Sequence, residues 1–101
     1  MTEKPVSLDS TVAINGDAVS RILEGEAVIL DLESVTYLGL NEVGTRIWFL
    51  IQEHGLLRRV FEVVQQEYEV APQELETDIL QLVDHLQRRG LVSLAQPPEQ
   101  K

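Results

Sequence analysis

The sequence predicts an α+β domain in which a three-stranded antiparallel sheet packs on a bundle of three helices. Two patterns and one junction lead there. In the first half, short apolar runs alternate with turn residues: Val19 to Leu23, then Glu24-Gly25, Ala27 to Leu32, Glu33-Ser34, and Val35 to Leu40. This is strand spacing with hairpin connections. In the second half, apolar residues recur at steps of three and four, the spacing of helices with one buried face. The change of period falls inside Thr36 to Phe49, T-Y-L-G-L-N-E-V-G-T-R-I-W-F. Asn41 stands at the changeover, where its side chain can accept from the first free N–H groups of a helix, and Glu42 follows at the positive end of that helix.

Taken in order, residues 1–10 are polar, contain Pro5 and show no period, which predicts a flexible arm. Val12 and Ile14 alternate with polar neighbours before Asn15-Gly16-Asp17 and read as a short extra strand ending in a turn. In the meander that follows, Ala27 to Leu32 is apolar on both parities and is expected to be the middle strand, leaving Val35 to Leu40 on an edge. The first helix is expected from about Glu42 to Glu53, with Val43, Ile47, Leu50 and Ile51 on one face, Trp48 in the core and His54-Gly55 at its end. The second runs from about Leu57 to Tyr68 on Leu57, Val60, Phe61, Val64 and Tyr68. The third starts at Pro72 and reaches about Arg89 on a stripe of Leu75, Ile79, Leu82, Val83 and Leu86, with Gly90 as its stop. Ala71 before it has no capping oxygen, a loss of about 1 kcal/mol. Leu91 to Leu94 is expected to pack back as a last strand, so the domain spans residues 11–94 and residues 95–101 form a flexible tail.

Composition excludes several functions. With 44% apolar and 25% charged residues in 101, the chain is one soluble globule able to bury a single core. It has no cysteine, so disulfides and thiolate chemistry are out of reach. No apolar run approaches the roughly 18–20 residues that span a bilayer, and the N-terminus lacks a basic region followed by an apolar one. A cytoplasmic location is expected. The net charge of −9 repels phosphate backbones and anionic lipid, so neither nucleic acid nor membrane is an expected partner. Three helices followed by a short strand do match the order of a winged helix-turn-helix, but the reading helix would carry Glu74, Glu76, Asp78 and Asp84 against phosphate. An enzyme is not expected either. His54 and His85 lack the H-x-x-x-H spacing of a metal pair, and Gly39 and Gly44 form no phosphate-cradling loop, so no metal or cofactor is expected.

What remains is the edge strand. Tyr37, Leu38 and Leu40 are large apolar residues on an edge with no proline or lysine to blunt it, and such an edge invites another strand. The N-terminal segment, a second copy of the chain or an extended peptide would each cover it. If the strand lies beside the third helix, a peptide could pair with Thr36 to Leu40 and place its side chains in pockets lined by that helix. About four backbone bonds at roughly 1 kcal/mol each and two or three apolar anchors at about 2 kcal/mol each, less about 4 kcal/mol for association, leave a net of about 4–6 kcal/mol, enough for a recruitment module.

Three stretches, D-L-E-S-V-T-Y-L-G-L-N-E-V-G-T-R-I-W at Asp31 to Trp48, E-V-A-P-Q-E-L-E-T-D-I-L at Glu69 to Leu80 and L-Q-R-R-G-L-V at Leu86 to Val92, resemble the PqqD-like family. That family comprises the leader-peptide recognition elements of ribosomally made, post-translationally modified peptide pathways. The resemblance covers roughly residues 19–94. It implies a three-stranded sheet on a winged helix-turn-helix-like bundle, with the leader added as a fourth strand in the cleft against the third helix. The implied peptide-binding positions are Thr36, Tyr37, Leu38 and Gly39 on the strand and Leu75, Asp78, Ile79 and Leu82 on the helix, Asp78 receiving a basic or hydroxyl group. Relatives commonly carry glycine where this chain has Val35, and valine resists positive φ, so the turn at Glu33-Ser34 is expected to differ in type. The resemblance implies a non-catalytic monomer or weak dimer serving a leader peptidase of the lasso-peptide pathways or, in the alternative, a radical SAM enzyme. A self-associating structural module is the reading from a different class.

Overall fold

The computed structural model describes residues 6–95, in the order β1 (Thr11–Ile14), β2 (Ala18–Leu23), β3 (Glu26–Asp31), β4 (Thr36–Gly39), α1 (Glu42–His54), α2 (Leu57–Glu67), α3 (Pro72–Arg88) and β5 (Val92–Ala95). Strands β2, β3 and β4 form the antiparallel meander, with β3 in the middle. Its first hairpin turns on Glu24 and Gly25 with φ of 53° and 85°, the left-handed pair that matches the twist of flanking strands. Ala27 and Ile29 on the inner face of β3 are fully buried against the helices, whereas Leu30 and Tyr37 stand side by side on the outer face and are exposed.

The three helices carry the core. Trp48, Ile47, Leu50, Leu57, Val60, Val64, Leu75, Ile79, Val83 and Leu86 are essentially inaccessible. Asn41 caps α1 as expected, its Oδ1 accepting from the Gly44 N–H at 2.8 Å. Ala71 makes no side-chain cap for α3, and Pro72 occupies the first turn. The far end of α3 closes in a Schellman motif: Gly90, at φ 75°, donates to the Gln87 carbonyl and Leu91 to the Leu86 carbonyl. A bidentate pair, Arg46 Nε to Glu67 Oε1 at 2.8 Å and Nη2 to Oε2 at 2.7 Å, ties α1 to the end of α2.

The N-terminal segment departs from the expected arm. Residues 6–10 are folded onto the body: Leu8 is buried, Ser10 N–H donates to the Ser7 carbonyl, and Asp9 pairs with Arg58 at 2.9 Å. A single leucine in a polar stretch shows no period, so its burial depends on partners far away in sequence. β1 then pairs antiparallel with β5, from Thr11↔Ala95 to Ile14↔Val92. Its other side is held by the connection between α1 and α2, where Val12 N–H donates to the Gly55 carbonyl and Leu57 N–H to the Ser10 carbonyl. β1 therefore lies away from β4 and leaves that edge uncovered. The expected arm at residues 1–5 and tail at residues 96–101 lie outside the described residues.

The turn into β4 carries a left-handed non-glycine residue. Val35 takes φ 57°, the conformation a glycine would hold there. The strain of a left-handed valine, about 1–2 kcal/mol, is offset by a local network. Asp31 accepts from the Glu33 N–H at 3.1 Å and the Ser34 hydroxyl at 2.7 Å, and the Val35 N–H donates to the Asp31 carbonyl at 2.8 Å. The turn thus holds a left-handed residue without a glycine.

Candidate functional site

The site begins with the register of β4. Asp31↔Thr36, Leu30↔Tyr37, Ile29↔Leu38 and Val28↔Gly39 are paired, and the Leu40 N–H donates to the Ala27 carbonyl at 2.8 Å. Residues along an antiparallel strand alternate between facing the partner and facing away. Thr36 and Leu38 therefore turn their backbone groups toward β3, while Tyr37 and Gly39 point an N–H and a C=O each at the open side. The side chains divide the other way: Leu38 is half-buried on the inner face and Tyr37 is 71% exposed on the outer one.

Where the sheet gives way to α1, a hydroxyl takes over the ladder. The Ala27 N–H donates to Thr45 Oγ1 at 2.7 Å, and that hydroxyl lies 3.4 Å from the Leu40 carbonyl. Thr45 is thereby buried in place of a direct backbone bond, and it fixes the angle at which α1 leaves β4. Gly44 sits one residue earlier with its Cα toward the cleft. A Cβ there would meet Asn41 Oδ1 at 3.2 Å and Leu40 at 3.4 Å, so a larger residue would press on the capping side chain, which would have to give by a few tenths of an ångström.

Between β4, the start of α1 and α3 runs a groove of about 440 Å³. Leu38, Gly39, Leu40 and Asn41 form one wall, Val43, Gly44 and Ile47 the floor, and Asp78, Gln81, Leu82 and His85 the opposite wall. Of the residues expected at a peptide site, the structure brings Leu38, Gly39, Asp78 and Leu82 together on this groove. Thr36 and Tyr37 lie beyond its end along the same strand. Leu75 and Ile79 are fully buried and do not line it. They belong to the core stripe of α3, whereas the groove is lined by a stripe about a quarter turn away, Asp78, Gln81, Leu82 and His85. Sequence reasoning passed over Gln81 and His85; the signal for them was their i+3 and i+7 spacing from Asp78.

Charge at the site is arranged along α3. Asp78 lines the groove together with Asn41, and Arg89, at the C-terminal end of the helix, donates from Nη2 to the outward carbonyl of Tyr37 at 3.2 Å. The Ser34 hydroxyl first, aided by the Glu33 and Ser34 N–H groups and the charge of Arg89, holds the Asp31 carboxyl below its usual range against the opposing effect of desolvation. Among the described residues no group of three or more His, Cys, Asp or Glu side chains is arranged to hold a metal, and no helix is long and apolar enough to cross a membrane.

Against known proteins, residues 26–92 match the family model for coenzyme PQQ synthesis protein D (PqqD). Two solved structures share the fold. One is TbiB1 in complex with the TbiA(beta) leader peptide, at 30% identity and a TM-score of 0.73, covering 85% of this chain and 98% of that one. The other is lasso peptide synthetase B1 complexed with the leader peptide, at 24% identity and a TM-score of 0.74, covering 82% of this chain and 98% of that one. No curated protein matches significantly.

Proposed function

The chain belongs to the PqqD family, and from that premise we propose that it is a non-catalytic recognition element for the leader peptide of a ribosomally made precursor. The leader adds as an extended strand to β4 and lies in the groove against α3. One observation carries this reading: β4 leaves the N–H and C=O of Tyr37 and Gly39 facing outward beside an apolar groove, although the chain has a spare strand, β1, that pairs elsewhere. Pairing to Tyr37 and Gly39 supplies up to four backbone bonds, and alternate peptide side chains reach Leu38, Val43, Ile47 and Leu82. At about 1 kcal/mol per bond and about 2 kcal/mol for each of three or four buried anchors, less about 4 kcal/mol for association, about 6–8 kcal/mol remains, a Kd of roughly 1–40 μM.

A lasso-peptide leader peptidase, toward which the D-L-E-S and Y-L-G-L-N stretches lean, is the enzyme that receives the bound precursor in this reading, with a radical SAM enzyme as the alternative. A cytoplasmic location is part of the same reading. A second reading, self-association, has its own observation: Val19, Leu30 and Tyr37 are in register across the outer face of the sheet and 38%, 39% and 71% exposed.

The test is binding of a candidate precursor's leader peptide, by calorimetry or polarisation, to wild type and to Leu38→Asp. One peptide per monomer, and a loss of more than about ten-fold in the variant with its helical spectrum unchanged, supports the groove. A protein that ignores the peptide and gains mass with concentration is a self-associating module instead.

A further inference from the structure

The proposed edge is not wholly free, because its outward carbonyl at Tyr37 is occupied by Arg89. Of the two arginines that end α3, Arg88 is committed to Asp84 one turn back, at 2.9 Å. Among the described residues Arg89 has no carboxylate within ion-pair distance, and the one hydrogen bond of its guanidinium is to a neutral backbone oxygen. A guanidinium carries five donors in a planar fork, and a single carbonyl uses one of them. Asp31 is near enough to feel its charge, but that carboxylate is already engaged by the Ser34 hydroxyl and the Glu33 N–H.

An incoming strand needs the Tyr37 carbonyl for its own N–H, so the two compete for one acceptor. The exchange becomes favourable if the strand offers the displaced guanidinium a better partner, and a carboxylate is that partner: it accepts two parallel bonds and carries the opposite charge. We propose that Arg89 is a specificity-determining residue, which yields the Tyr37 carbonyl to the bound peptide and pairs instead with an acidic side chain of that peptide. This rests on the strand-addition reading and adds to it a required chemistry and a polarity.

The polarity comes from Asp78 at the other end of the groove. From Asp78 to Arg89 the helix and its cap advance about 16 Å, which an extended peptide covers in about five residues. The preferred ligand is therefore an extended segment with an acidic residue at the Tyr37 end and a basic or hydroxyl residue about five positions away, at the Asn41 end. Apolar side chains lie between them, over Leu38 and Leu82.

The experiment is selection from a displayed library of random twelve-residue peptides on immobilised wild type, with counter-selection on Leu38→Asp. An enriched peptide is then synthesised with its Glu or Asp and with the matching Gln or Asn, and both are titrated into wild type and Arg89→Gln. The amide peptide is expected to bind wild type about three- to five-fold more weakly and to match the acidic one on Arg89→Gln, with the difference shrinking in high salt. Selection on Arg89→Glu is expected to replace the acidic position with Lys or Arg. Peptides that need Leu38 but bind wild type and Arg89→Gln alike, with no acid enriched, overturn the role of Arg89 and leave strand addition standing. Failure to enrich any peptide that depends on Leu38 overturns both.

Discussion

β1 and β4 are both four-residue strands with apolar side chains facing the core, yet they end in opposite circumstances. β1 is held on both sides, by β5 and by the connection between α1 and α2, and Val12 at its centre is almost inaccessible. Among the described residues β4 is held on one side only, by β3, and its other side meets a groove and one arginine. Open edges are a hazard that folded proteins normally cover, and this chain had the means to cover one. Under the proposed function the covered strand serves stability and the open one binding, and substitutions in the two strands should separate those quantities.

The largest effect is expected where the covered side is weakened. Leu8→Ala removes a buried side chain from the segment that leads into β1 and is expected to cost about 2–3 kcal/mol in denaturant unfolding, with peptide affinity of the remaining folded protein unchanged. A loss under about 0.5 kcal/mol would mean that residues 6–10 contribute nothing, as the polar sequence alone implied. Thr45→Val comes next. It keeps the shape but strips the Ala27 N–H of its acceptor inside the protein, at a cost of about 1–3 kcal/mol, and faster hydrogen exchange at Ala27 and Leu40 is the local signature to measure.

Val35→Gly sharpens the comparison in the other direction. Relief of the left-handed valine outweighs the added chain entropy of glycine, so a gain of about 0.5 kcal/mol in thermal stability is expected. Peptide binding should not change, because the residue lies outside the groove; a shift in affinity would show that the turn controls the register of β4. The smallest effect is pH-dependent. Asp31 is held below its usual range by the Ser34 hydroxyl first, and Glu67 by its bond to Arg46 first. A carboxylate with a lowered folded pKa stabilises the fold above its unfolded pKa and loses that contribution as pH falls through the folded value. Stability should therefore drop as pH falls below about 4. The drop should be shallower in Asp31→Asn and Glu67→Gln; identical acid limbs in wild type and both variants would remove these two groups as its cause.

Much of the fold was legible because it is written locally. The meander, the changeover at Asn41 and the three helices each follow from a period of two or 3.6 and from short-range caps, and each element lies within a residue or two of its expected limits. The Schellman ending of α3 needed only Gly90. On the groove, Leu38 and Gly39 were legible from the same junction, and Asp78 and Leu82 from the resemblance carried by Glu69 to Leu80.

What escaped the sequence has a common cause. An amphipathic period states which residues share a face, and the packing of the whole molecule decides what that face meets. The stripe through Leu75 and Ile79 went to the core, and the groove received the neighbouring stripe of Asp78, Gln81, Leu82 and His85, because the rotation of α3 is set by its contacts with α1 and α2. The pairing of β1 with β5 joins residues about eighty positions apart, the bond from Arg89 to Tyr37 spans fifty-two, and the insertion of Thr45 into the ladder needs a helix and a strand placed to within a few tenths of an ångström. The sequence by itself determined the elements and the strand that ends at Asn41. Only tertiary structure decided that this strand would be left open, since that depends on where β1 finds its partners.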